Sequence, residues 1–147
     1  GVSVSVGLIS GGLRTNIIPP ECRAVVDVRA VTVVDAERLE QAIRVLPAPL
    51  PGTTVTVSGG FDRAPLERTP RNAALWELAR DVGAEMGLAL TETAVGGGSD
   101  GNLTSPFTAT LDGLGPVGDG AHARHEHVII SKMVERSALL AALLMRA

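Results

Sequence analysis

The sequence predicts an α/β protein built from two successive blocks. Three observations carry this prediction: two segments of alternating apolar residues near the start, helix-like apolar patterns in three later segments, and loops rich in glycine and proline between them. The 147 residues suffice for one ordinary domain or two small pieces. An apolar content of 45% allows a hydrophobic core, so a disordered chain is not expected.

The first block is predicted to run strand, strand, helix, strand over roughly residues 1–60. Strict alternation is interrupted by Gly11 and Gly12, and a later run of prolines from Pro47 ends the predicted helix. Asp35 can cap that helix. The predicted elements are strands at 2–6, 22–34 and 53–58 and a helix from Asp35 to about Leu46.

The second block follows a change of composition over residues 59–69, and we place the junction near residue 66. Thr69-Pro70 predicts a helix start, since proline is favoured at the first helical position, and Gly87 predicts its end. The remaining predicted elements are short strands at 88–95 and 107–111 and a last helix capped by Ser131 and running to Leu144.

Composition excludes two classes of partner. Aromatic residues make up 2% of the chain and the net charge is −3, so neither base stacking nor a basic face for nucleic acid is supported. The chain contains no run of about 18 apolar residues, which is the length needed to span a membrane. The single Cys22 excludes an intrachain disulfide. The compartment stays open, with the cytoplasm favoured.

A histidine-containing loop over residues 115–126 has the pattern of a metal-ligand loop. His122 follows Gly118, Gly120 and Ala121, which leave room for an ion, and Asp119 or Glu126 could accept from its second ring nitrogen. His125 and His127 are interpreted as surface residues. One histidine is not a complete metal site, and the chain offers no obvious partners for it.

A second glycine-rich loop covers residues 96–101. Gly96, Gly98 and Gly101 match the dinucleotide-binding spacing, but no long amphipathic helix follows, so the match is weak. A tight turn and a nest of backbone amides for a substrate carboxylate are the other interpretations. Asn16 is similarly open, as either a turn residue or an amide that points at a ligand.

Four segments together resemble the C-terminal part of the co-catalytic zinc metallopeptidases of clan MH. That superfamily includes glutamate carboxypeptidase, aminoacylase, succinyl-diaminopimelate desuccinylase and acetylornithine deacetylase, and the last loop is most similar to the glutamate carboxypeptidase type. The segments, in order, are Asn16-Ile17-Ile18-Pro19, Asp27-Val28-Arg29, Gly96-Gly97-Gly98-Ser99-Asp100, and Gly118-Asp119-Gly120-Ala121-His122 with Glu126.

The resemblance implies a fold and a site. Residues 1–66 would be part of a βαββαβ ferredoxin-like lid, or dimerisation, domain, and residues 67–147 the C-terminal part of the αβα catalytic domain. A homodimer through the lid and two zinc ions are implied, with His122 as the final zinc ligand. The implied substrate-binding residues are Asn16, Arg29, Arg63, Gly97 and Gly98.

The resemblance also implies what the chain lacks. The family's other zinc ligands and its general base would precede residue 1, so no catalytic residue is assigned here. We therefore expect a fragment, inactive alone, of an enzyme that cleaves an amide bond beside a free carboxylate in a small peptide or N-acyl amino acid. The alternatives are a non-catalytic dimerisation module and, with less support, a nucleotide-binding domain.

Overall fold

The computed structural model describes residues 1–146 and divides into two compact units. The first ends at Glu67 and the second begins at Arg68. This division lies beside the junction inferred near residue 66. Each unit is mixed α/β with one small antiparallel sheet.

The first unit opens with a hairpin of β1 (Ser3–Gly11) and β2 (Cys22–Arg29). The register runs from Ser3↔Arg29 to Gly11↔Cys22 and shifts between Val6 and Leu8. A side chain on Gly11 would come within 2.6 Å of the Glu21 carbonyl oxygen, so only glycine fits where the strands join.

The shift in register keeps one face of the hairpin apolar. Because successive side chains alternate between faces, a bulge at Gly7 turns Leu8 away and brings Ile9 onto the face that carries Val4 and Val6. Their partners on that face are Val28, Val26 and Ala24. This set is called the apolar hairpin face below.

Helix α1 spans Val33–Arg44 and begins earlier than predicted. Thr32 is the cap, since its hydroxyl accepts from the Asp35 backbone N–H at 3.0 Å, and Asp35 lies in the first turn. The prediction that Asp35 caps the helix and that the strand continues to Val34 is therefore wrong. The predicted strand at 53–58 is also wrong, because this segment makes no ladder with a neighbouring strand.

The second unit is built on two helices. Helix α2 (Pro70–Glu85) packs against the last helix, α4 (Ile130–Leu144), through a small core. The elements between them are helix α3 (Gly101–Thr104) and the strand pair β3 (Gly118–Asp119) and β4 (His127–Val128). The buried apolar residues of the core are Ala79, Val82, Leu139 and Leu143.

Two sequence predictions for this unit are confirmed and three are wrong. Thr69 caps α2, and the chain leaves that helix at Gly87 with a φ of +75°. The segments 88–95 and 107–111 pair with no strand, and the second opens in a turn at Phe107, so they are not strands. Ser131 lies inside α4, because the helix begins one residue earlier. None of the helices in the described part of the chain is long and apolar enough to cross a membrane.

An ion pair joins the ends of α2 and α4, and it predicts a measurable pKa change. Arg146 Nη1 donates to Glu85 Oε1 at 2.8 Å, and this bond lowers the pKa of the Glu85 carboxyl. Replacing Arg146 with Gln should raise that pKa toward the ordinary glutamate value of 4.5. Because the folded pKa is the lower one, the pair contributes stability above the unfolded pKa and loses it as pH falls through the folded pKa.

Carboxyl-carbon NMR titration of Glu85 measures this change. Arg136→Gln is the matched control, since Arg136 lies on α4 but donates to backbone oxygens of Gly113 and Gly115. An unchanged pKa in Arg146→Gln would contradict the pairing.

Candidate functional site

The residues implied to bind substrate lie in both units. Asn16, Arg29 and Arg63 belong to the first unit, and Gly97 and Gly98 to the second, together with the implied zinc ligand His122. Each set is described within its own unit.

Within the first unit, the hairpin separates Arg29 from the loop that carries Asn16. That loop leaves the ladder after Gly11↔Cys22, whereas Arg29 pairs with Ser3 at the opposite end. Asn16 lies in an exposed turn, which fits its turn interpretation. Arg29 and the loop that carries Asn16 therefore lie at opposite ends of the hairpin.

Arg29 is held by a neighbouring acid. Its Nε donates to Asp27 Oδ2 at 2.8 Å, and the two side chains are 55% and 58% exposed. Residues two apart in a strand share a face, so this pair lies opposite the apolar hairpin face. Because both side chains are more than half exposed, this ion pair is a surface pair of the weak kind.

Arg63 lies on a segment that runs along α1. At one end of the segment Arg44 Nη2 donates to the Gly59 carbonyl oxygen at 2.7 Å, and at the other Glu67 Oε1 accepts from the Val33 N–H at 2.9 Å. A cleft of about 190 Å³ separates the segment from the helix. Its lining residues are Val33, Ala36, Glu37, Glu40, Phe61, Ala64 and Pro65. The segment is thus fixed at both ends, with Arg63 exposed between them.

The glycine loop of residues 96–101 is stabilised by local hydrogen bonds. The Ser99 N–H donates to Asn102 Oδ1 at 2.8 Å, and the Gly101 N–H donates to Ser99 Oγ at 3.1 Å. A side chain added at Gly97 would meet nothing within 4 Å, so open space adjoins the backbone there. Helix α3 follows and is only four residues long, which does not favour a dinucleotide site.

The histidine loop forms the tight connection between β3 and β4. His122 has a φ of +66°, the one positive φ outside glycine among residues 1–146. A side chain on Gly120 would lie 2.7 Å from His125 Cδ2, so the loop needs glycine there for space as well as for its φ of +76°. His127 Nδ1 lies 3.1 Å from the His125 carbonyl oxygen.

The donors in this loop fit one ligand of a zinc site and not a complete site. Structural and catalytic zinc sites usually have three or four protein ligands. Within residues 1–146 no group of three or more His, Cys, Asp or Glu side chains is placed to hold a metal ion. A zinc ion bound by His122 would therefore need further ligands from outside residues 1–146.

Sequence reasoning missed a pair of buried polar residues. Asn72 and Ser105 are 6% and 4% exposed, and Asn72 Nδ2 donates to Ser105 Oγ at 2.8 Å. The one available signal was an asparagine in the first turn of a helix, three residues after its cap. Nothing in the local sequence marks Ser105 as buried.

The comparisons with known proteins bear on the first unit. Residues 1–55 match the family model of the M20 peptidase dimerisation domain, which covers 55 of the 147 residues. No curated protein and no solved structure matches the chain significantly. The match supports an M20-family peptidase fragment, and it suggests dimer formation through the region of residues 1–55.

Proposed function

We propose that this chain is the C-terminal part of a zinc-dependent hydrolase, similar to glutamate carboxypeptidase, that cleaves an amide bond beside a free carboxylate. The observation that carries the proposal is the match of residues 1–55 to a peptidase dimerisation domain. The order of the motifs along the rest of the chain supports it. The first unit would be part of a βαββαβ lid and the second the end of the catalytic domain.

The chain's own residues would bind and orient the substrate. Arg29 and Arg63 carry exposed guanidinium groups suited to a carboxylate, and the backbone at Gly97 and Gly98 is open to a close approach. Asn16 could donate its amide to a substrate oxygen. Holding the free carboxylate fixes the position of the scissile amide and so lowers the entropic part of the barrier.

His122 would supply one ligand to the zinc pair, with the other ligands and the general base coming from outside this chain. Bound zinc would lower the pKa of a water molecule and polarise the amide carbonyl. Residues 1–146 hold no group of side chains placed as a complete metal site, so we expect the chain to be inactive alone.

The test uses the longer protein and matched substrates. We expect zinc-dependent hydrolysis of an N-acyl amino acid or a dipeptide with a free C-terminal carboxylate. The same compound with its carboxylate converted to a carboxamide should react at least about tenfold more slowly, because the charged pair with arginine is lost. Equal rates on the two substrates would contradict the carboxylate role.

A non-catalytic dimerisation module is the second candidate. It is favoured by a family match confined to the dimerisation domain, and within residues 1–146 no group of three or more His, Cys, Asp or Glu side chains is placed to hold a metal ion. It predicts a dimer with no stoichiometric zinc and no hydrolysis. Metal analysis of the purified longer protein separates the two candidates, since the enzyme should carry about two zinc ions per chain.

A further inference from the structure

The second unit contains a buried polar junction between α2 and the segment after α3. Asn72 bonds in two directions: its Nδ2 donates to Ser105 Oγ at 2.8 Å, and its Oδ1 accepts from the Thr110 N–H at 2.9 Å. One side chain thus holds both ends of residues 105–110. Buried amides are costly to leave unpaired, so these bonds fix the geometry strongly.

Helix α2 provides the rigid side of this junction. Asn72 lies in the first turn of α2, where its own N–H donates to the Thr69 hydroxyl at 3.3 Å. Arg71 adds a bond from its guanidinium to the Ser105 carbonyl oxygen. Further along, α2 buries Ala79 and Val82 in the core. The junction therefore ties the segment after α3 to the best-packed element of the unit.

Continuous hydrogen bonding connects the junction to the glycine loop. The Ser105 N–H donates to the Gly101 carbonyl oxygen at 2.9 Å, and the Thr104 N–H to the Asp100 carbonyl oxygen at 3.2 Å. The bond from the Ser99 N–H to Asn102 Oδ1 extends this order one step further. From Ser105 back to Ser99, each turn is bonded to the next.

The exposed part of the loop begins where this order ends. Residues 96–98 are exposed, and a side chain added at Gly97 would meet no neighbour within 4 Å. Glycine has the largest backbone entropy to lose when it is ordered. The bonded segment that follows adjoins these glycines, and Asn72 holds that segment at Ser105 and Thr110.

We propose that Asn72 is a positioning residue that acts through Ser105 to hold the glycine loop in place for the substrate carboxylate. This role rests on the proposed function, in which Gly97 and Gly98 border that carboxylate. A loop held in its binding conformation before the substrate arrives spends less binding energy on ordering itself. The side chain does not touch the substrate, so its effect is on binding rather than on the chemical step.

The first measurement is hydrogen exchange in the longer protein. Asn72→Ala and Ser105→Ala should each speed exchange of the backbone amides of residues 96–105 by about tenfold and leave α4 unchanged. Ser105→Thr keeps the hydroxyl acceptor and should restore slow exchange. Ser137→Ala, at an exposed position on α4, is the matched control and should change nothing in the loop.

The second measurement is kinetic. With a free-carboxylate substrate, Asn72→Ala should raise KM about tenfold while kcat stays within about twofold, the signature of lost binding rather than lost chemistry. Unchanged exchange in the loop, or equal increases in the loop and α4, would overturn the positioning role. Faster loop exchange with an unchanged KM would overturn the link to substrate.

The two proposals fail in different ways. If the unaltered protein hydrolyses no carboxylate substrate, the proposed function is wrong, and the exchange experiment still decides whether Asn72 positions the loop.

Discussion

Replacing His122 with Ala in the longer protein should abolish hydrolysis and remove zinc. Loss of a residue that hydrogen-bonds to a metal ligand typically lowers metal affinity or activity by about 10–100-fold. Loss of the ligand itself should therefore lower them by more than about 100-fold. The assignment of His122 to this role is a proposal that rests on the motif of its loop. His122 lies in a turn that requires glycine at Gly120, and it adopts a backbone conformation that non-glycine residues rarely adopt.

The other two histidines of the loop provide matched controls. His127 has its Nδ1 near the His125 carbonyl oxygen, and the ring of His125 lies against Gly120. The interpretation of His127 as an exposed surface residue predicts that His127→Ala keeps zinc and most activity. Zinc content by mass spectrometry and calorimetric titration measure the metal directly, apart from turnover.

The assignment of His122 as a zinc ligand also predicts how the isolated chain binds zinc. With one strong ligand it should bind zinc only weakly. Tight binding by residues 1–147 alone, or full activity in His122→Ala, would show that the metal ligand has been assigned to the wrong residue.

The elements that the sequence predicts well are those defined by local chemistry. Helix α2 begins at Pro70 after the cap Thr69, and the chain turns away from the helix at Gly87. A hydroxyl cap, a proline and a glycine each affect only residues a few positions away, so the local sequence determines these ends. The hairpin likewise follows from alternation in two nearby segments. In α1 the predicted cap was wrong because β2 ends at Arg29 and the helix begins at Val33, and local sequence does not determine where the strand ends.

The elements that the sequence predicts poorly are those that need a distant partner. Residues 53–58, 88–95 and 107–111 all alternate or carry strand-forming residues, yet none has a neighbouring strand to complete a ladder. The buried pairing of Asn72 with Ser105, 33 residues apart, is non-local in the same way. The candidate site was predicted through motifs, and its supporting contacts were not.

The chain exposes more surface than a compact protein of its mass does. The accessible surface is 11,229 Å². A compact chain of this mass exposes about 7,100 Å², and two separately folded halves about 8,500 Å² in total. The excess is about 4,100 Å² over the single compact chain and about 2,700 Å² over the two separate halves, so even the smaller figure reflects surface that each unit leaves uncovered.

Much of that surface is apolar, and the apolar hairpin face is one continuous part of it. Val4, Val6 and Ile9 are 54%, 53% and 71% exposed, and Val26 is 41% exposed. A two-stranded ribbon is marginally stable by itself, and its open edges can pair with other chains. A hairpin of this kind is stabilised by covering its apolar face, which agrees with a domain that pairs two copies.

We therefore expect residues 1–147, expressed alone, to be insoluble or molten. The soluble fraction should bind a hydrophobic dye, associate as concentration rises and show no sharp melting transition, because exposed apolar area favours association over a unique packed state.

Val6→Thr with Val26→Thr, which keeps strand propensity but adds hydroxyls to the apolar hairpin face, should lower dye binding and association. Val25→Thr, on the opposite face of β2, is the matched control and should have a smaller effect. A monomer that melts in one cooperative transition would show that the chain completes its own fold, and the proposal that it is part of a longer enzyme would then be wrong.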